Sequence, residues 1–190
     1  MSSESLLDIL GVPHTLIHGG TCAVVNVKHH MALRKQRLDS RFPISYFEVS
    51  YRTGGWIYVP QGAALGAKLL TLCEVLGPLR LEAGVSFTIP GGGGYDPRTD
   101  GAGKRVTHRK SNTSQHMHRP GTRAGGTAWD FRPSDIEERW DWYVGQLMDR
   151  DAELKFIGGR RISIGQYHPG RGTFLHIDLR EGRPWRKVLR

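Results

Sequence analysis

The sequence predicts an α+β fold, a small antiparallel sheet with flanking helices, on three observations. Short apolar runs bounded by glycine turns fill the first sixty residues. Stretches 61–76 and 134–149 carry apolar residues at helical spacing. Segments 161–167 and 173–179 alternate with period two across a Pro-Gly turn. At 190 residues there is enough chain for one well-buried core but not for two. Residues 1–60 read as an N-terminal extension packed on a main domain of residues 61–190.

The N-terminal runs CAVVNV, ISYFEVSY and GWIYV, separated by turn signals such as HGG and RTGG, predict two or three strands in a hairpin-like arrangement. His29-His30 reads as surface or packing, because nothing nearby completes a ligand set. From Gln61 to Leu76, Leu65, Leu69, Leu72, Cys73 and Leu76 form the stripe of an amphipathic helix, which Gly77-Pro78 is expected to end. Leu81 to Ile89 then reads as a strand, with Val85, Phe87 and Ile89 on one face. Residues 90–128 are polar, rich in glycine and without periodicity, which is the mark of a long loop. Within it, GGGGYDPRTDGAGKR is not a nucleotide loop: Lys104 is followed by Arg105, and Arg98 stands where the leading glycine belongs. Ser134 to Asp149 reads as a second helix, opened by the capping-box residues Ser134 and Glu137. Its stripe of Ile136, Trp140, Tyr143, Val144 and Leu147 faces the core. Arg161–Tyr167 and Thr173–Leu179, joined by HPGRG, form an antiparallel pair.

A formal charge of +9 directs the surface toward polyanions, whether nucleic acid, anionic lipid or an anionic wall polymer. The basic residues are dispersed and no nucleic-acid-binding motif is readable, so nucleic acid is not the expected partner. Cys22 and Cys73 form neither a CxxC pair nor a disulfide framework, and free thiols are expected. The start MSSESLLDILGVPH lacks a signal peptide, and no run of ~18 apolar residues suggests membrane insertion. The expectation is a chain made in soluble form in the cytoplasm.

The chemistry concentrates in TFLHIDL. Period two puts Leu175, Ile177 and Leu179 on one face and Phe174, His176 and Asp178 on the other. With a second His/Asp-bearing segment upstream, these residue types suit zinc: imidazole nitrogens, a carboxylate oxygen and a fourth position left for water. By spacing alone, the pair reads equally well as a surface salt bridge.

The order of motifs carries a resemblance. Ser114-Gln115-His116, then Gly126-Thr127-Ala128-Trp129-Asp130, then the strand FLHIDL with the basic tail REGRPWR resembles the zinc D-Ala-D-Ala carboxypeptidase family. Its relatives include the L-alanyl-D-glutamate endopeptidases of phage lysins and share the hedgehog/DD-peptidase fold. The likeness spans residues 61–190. It implies that His116, Asp130 and His176 hold one Zn²⁺, whose open position takes a water that attacks a peptide carbonyl. Asp178 and Ser114 would support the ligands. Thirteen residues separate His116 from Asp130, more than in the family's S-x-H-x-x-G-x-A-x-D motif, so MHRPGTRAG reads as an inserted bulge. His118 is the alternative ligand; the Ser-x-His prefix favours His116. Thr173 stands near where relatives keep a general base, and His168 is the nearest replacement, with a side chain that titrates in the useful range. Arg98, beside Tyr95, is the counterpart of the arginine that holds the substrate carboxylate. The implied activity is a metallopeptidase hydrolysing peptidoglycan stem peptides, released through the membrane as an endolysin is, or carried in a virion. The alternative is a non-catalytic zinc-containing binding or structural module of the same fold, such as a phage particle component.

Overall fold

Alternating runs between glycine turns do build a sheet at the N-terminal end. The structure, a computed structural model, describes residues 5–89, 95, 97, 116, 126–167, 173–181 and 186–187. A one-turn helix, α1 (Leu6–Ile9), opens on a capping box between Ser5 and Asp8. Strands β1 (His14–Ile17) and β2 (Cys22–Asn26) follow, then short helices α2 (His30–Lys35) and α3 (Tyr46–Val49), then β3 (Tyr51–Thr53) and β4 (Trp56–Pro60). The four strands lie in the order β1-β2-β4-β3, all antiparallel. The expectation for ISYFEVSY needs correcting: its centre is the helical turn α3. Ser45 and Glu48 form a reciprocal capping box, which satisfies the backbone donors of a helix start and overrides the strand-like composition.

The first long helix runs past its expected end. It comprises α4 (Gly62–Thr71), a π turn over Leu72–Leu76 and α5 (Gly77–Ala83). Pro78 lies in the first turn of α5, where its missing N–H is tolerated because the π turn has already shifted the hydrogen-bond pattern. The chain leaves the helix at Gly84, whose φ of +69° is a left-handed position that glycine takes without steric cost. Leu81 is therefore helical, and the strand shrinks to β5 (Phe87–Thr88). The expected alternation survives: Phe87 and Ile89 are buried, while Ser86 and Thr88 are exposed. By length and composition alone Gly62–Ala83 could span a membrane, yet Leu72, Val75, Leu76 and Leu79 are buried in the core.

The second sheet contains β6 (Trp129–Pro133), β7 (Arg160–Tyr167), β8 (Phe174–Glu181) and β9 (Arg186–Lys187), in the order β5-β6-β8-β7-β9. Its pairs are antiparallel except β7 with β9. Between β6 and β7 runs α6 (Trp140–Gly158), which starts later and ends later than the capping-box signal suggests. Glu137 pairs with Arg132 on β6 and does not cap Ser134. Asp135 takes the Tyr143 hydroxyl at 2.5 Å and the Arg139 guanidinium at 3.1 Å, holding residues 134–139 as turns.

One hydrophobic core joins the two sheets: Leu7, Val25 and Ile57 belong to the same cluster as Leu76, Trp129, Tyr143 and Ile177. Residues from both sides of position 60 thus share an interior, where each fully buried large aliphatic or aromatic side chain contributes roughly 1.5–3 kcal/mol. Cys22 and Cys73 are free thiols. The ring of His30 lies 6.1 Å from that of Phe47, a packing position.

Candidate metal centre

Strands β6 and β8 are neighbours, and their register sets Asp130 directly opposite His176. Cross-strand partners point to the same face of a sheet, so the two side chains meet there. Asp178 follows on that face of β8, while Leu175, Ile177 and Leu179 enter the core on the other, as the alternation predicts. Both faces are in fact buried: His176 is 8% exposed and Asp178 fully enclosed. A surface salt bridge is thereby ruled out for this pair. Buried polar groups need partners, and Nε2 of His176 lies 3.2 Å from Oδ2 of Asp178.

The other ring nitrogen faces a cluster. Nδ1 of His176 is 2.7 Å from Oδ1 of Asp130 and 3.2 Å from Nε2 of His116. Nε2 of His116 is in turn 3.4 Å from Oδ1 of Asp130. The imidazole rings meet at 63°, so nitrogen faces nitrogen and the rings do not stack. Two nitrogens and one carboxylate oxygen, brought from a turn and two strands, can hold a metal ion. A tetrahedral site with bonds of ~2.0–2.1 Å has ligand–ligand edges of roughly 3.3–3.4 Å. The two separations to His116, 3.2 and 3.4 Å, match it, while the 2.7 Å contact between His176 and Asp130 is a hydrogen bond that must open for a metal to enter. His116 and Asp130 retain 13% and 22% side-chain exposure, so the cluster is not wholly sealed from solvent.

The electrostatics follow from burial and proximity. Burial alone would depress the His176 imidazole, but hydrogen bonds to Asp130 and Asp178 outweigh it and raise its pKa to about 9. For Asp130, burial favours the neutral acid, yet the two imidazoles together hold the carboxyl well below its ordinary range. His116 moves down, since burial exceeds the opposing pull of Asp130 and the charge of Lys68 adds to it.

Lys68 is the residue that sequence reasoning missed. It lies fully buried on α4, with Nζ donating to the carbonyl of Ala128 at 2.5 Å and sitting 5.5 Å from the centre of the Trp129 ring. One turn on, the Thr71 hydroxyl donates to the carbonyl of Thr127 at 2.7 Å, and the Thr127 hydroxyl donates to the carbonyl of Leu179 at 3.1 Å. These bonds clamp the chain just before Asp130 between α4 and β8. A stripe drawn through leucines passes over Lys68; one drawn through Ala64, Lys68, Thr71 and Val75 includes it, at the same helical spacing.

The structure thus brings together His116, Asp130, His176 and Asp178. Tyr95 is placed elsewhere, 2% exposed in a small cluster with Cys22, Tyr58 and Ala64, its hydroxyl donating to the carbonyl of Thr21 at 3.4 Å. His168, Arg98, Ser114 and His118 lie outside the described residues. No protein-family model, curated protein or solved structure matches this chain.

Proposed function

We propose that the chain is a zinc metallopeptidase hydrolysing stem peptides of bacterial peptidoglycan, as a carboxypeptidase or an endopeptidase of the hedgehog/DD-peptidase type. The observation that carries this reading is the convergence of His116, Asp130 and His176, with Asp178 behind His176. The donor set, two imidazoles and one carboxylate, is that of a catalytic zinc site with one position open. When bound, zinc supplies Lewis acidity toward a peptide carbonyl and eases the ionisation of water. Asp178 accepts Nε2–H of His176, which orients the ring with Nδ1 toward the cluster, so that loss of the Nδ1 proton would leave its lone pair aimed at a metal. Asp130 brings negative charge to the same point. Lys68 and Thr71 hold the preceding backbone in place. Arg98 and His168 keep their roles as carboxylate anchor and general base on the strength of the sequence resemblance. The charge of +9 favours retention on an anionic wall.

A second reading, a non-catalytic zinc module, is favoured by Thr173, which occupies the neighbourhood where the resembled family keeps its base. One experiment separates the two. Purified protein is assayed for bound metal, then incubated with purified cell walls, comparing wild type with His176→Ala and His168→Ala while new amino groups are counted. Enzyme function predicts about one zinc per chain, amine release by wild type, and loss of both metal and activity in His176→Ala. Bound zinc with no amine release leaves the module reading; a wild type that binds no zinc defeats both.

A further inference from the structure

Away from the metal cluster, a cavity of about 400 Å³ opens between α2, α3, β3 and β5. Arg34, Arg37 and Arg52 line it, with Glu48 as the one acidic side chain among the described residues and Phe87 and Ile89 as apolar wall. The guanidinium carbons of Arg34 and Arg52 sit 4.2 and 4.4 Å from the ring centre of Phe47. Stacking of that kind orients the planar group and leaves its N–H edges free to donate. Among the described residues, no carboxylate forms an ion pair with Arg34, Arg37 or Arg52. Glu48 forms no ion pair with them: Oε2 is held by the Ser45 amide at 2.7 Å and the Ser45 hydroxyl at 2.9 Å in the cap of α3, so its charge offsets one of the three cations without occupying a guanidinium edge. Burial, and then the like charge of Arg34, disfavour positive charge on Arg52 relative to a solvated guanidinium, with Glu48 opposing them. Arg34 and Arg52 thus share one ring, and Arg37, whose Nη1 donates to the carbonyl of Pro43 at 3.1 Å, lines the same cavity around a single committed carboxylate.

We propose that this cavity binds an organic phosphomonoester, with the phosphate on Arg34, Arg37 and Arg52 and the organic part against Phe87 and Ile89. Three cations less one carboxylate leave a surplus of two positive charges, which a phosphomonoester dianion balances and a single carboxylate does not. Guanidinium edges match phosphate oxygens in pairs. The volume exceeds what a bare oxyanion fills and falls in the range of small-ligand pockets, ~300–1,000 Å³. None of its lining residues belongs to the metal centre.

Phenyl phosphate is the probe, titrated into the full chain at constant ionic strength by calorimetry and by amide chemical shifts, with inorganic phosphate and benzoate as comparison ligands. The expected result is saturable one-site binding, tighter than either comparison ligand, with shifts confined to residues 34–52 and 87–89. Arg34→Gln and Arg52→Gln each weaken it roughly tenfold, while Arg150→Gln, at an arginine of α6 paired with Glu82 and Glu153, leaves it unchanged. No saturable binding to the wild type, equal affinity for benzoate, or equal weakening by Arg150→Gln overturns the proposal. Should the pocket variants fail to fold, the shift map of the wild type decides: shifts centred elsewhere overturn it.

Discussion

A proton and a metal ion compete for Nδ1 of His176, and the competition has a countable stoichiometry. In the metal-free protein the ring is held as imidazolium by Asp130 at 2.7 Å and Asp178 at 3.2 Å, with a pKa of about 9 despite burial. His116 is shifted the other way and stays neutral. A metal that takes Nδ1 must therefore expel one proton. Apparent zinc affinity is expected to climb about tenfold per pH unit above pH ~6.5 and to level off past pH ~9, a total change of roughly two orders of magnitude. Calorimetry at about pH 6.5, in buffers of different ionisation enthalpy, gives the proton count directly, and the expected value is about one. Stability gives a second readout. A pKa raised on folding stabilises fully below the unfolded value of ~6.5, and this stabilisation is lost as pH rises through the folded value. The melting temperature of the metal-free protein should thus fall between pH ~6.5 and ~9, relative to the zinc-loaded protein, whose ring is already neutral. Tight zinc binding with a proton count near zero would refute the assignment of Nδ1 as the displaced site.

Asp178→Asn keeps the shape behind His176 but removes the charge; zinc affinity, read by competition with a chelating dye, should drop about 10–100-fold, and the proton count should fall with it. Lys68→Met leaves the Ala128 carbonyl without its donor, which costs about 1–3 kcal/mol in urea unfolding. Because the Lys68 charge also disfavours positive charge at His116, the folded variant should bind zinc more tightly than wild type; weaker binding would contradict the electrostatic reading. Gly77→Ala places a Cβ 2.5 Å from the ring of Phe42, so thermal melts should show a loss of about 1–3 kcal/mol, with no change in metal affinity.

What the sequence made legible was local. The alternation in TFLHIDL placed Leu175, Ile177 and Leu179 inward because period two is a property of any strand, wherever it sits in a sheet. The HPGRG turn likewise predicted the pairing of β7 with β8. The pairing of β6 with β8, which creates the Asp130–His176 contact, joins positions 46 residues apart and follows from no local pattern. The candidate ligands came from motif order instead. Helix ends were misread for a related reason: Gly77-Pro78 and Ser134 are strong local stop and start signals, but a π turn and the Asp135–Tyr143 bond displaced both boundaries. Lys68 was hidden by the ordinary expectation that lysine faces water.

That buried lysine also bears on what the proposed site would accept. Among the described residues of the cluster, Asp130 and Asp178 bring two negative charges into the interior, and Lys68 together with protonated His176 matches them in the metal-free protein. Substituting a divalent cation for the His176 proton leaves one positive charge in excess over these four groups. Uncompensated charge in a poorly solvated site is costly, so the loaded centre should favour an anionic group at its open side. A peptide that presents a carboxylate near the scissile bond meets that demand; a neutral, amidated one does not. The charge balance therefore predicts that amidating the free carboxylates of a stem peptide raises KM more than it lowers kcat, because the lost interaction is made on binding and persists through the reaction. Equal KM for both peptides would locate the carboxylate contact away from this centre.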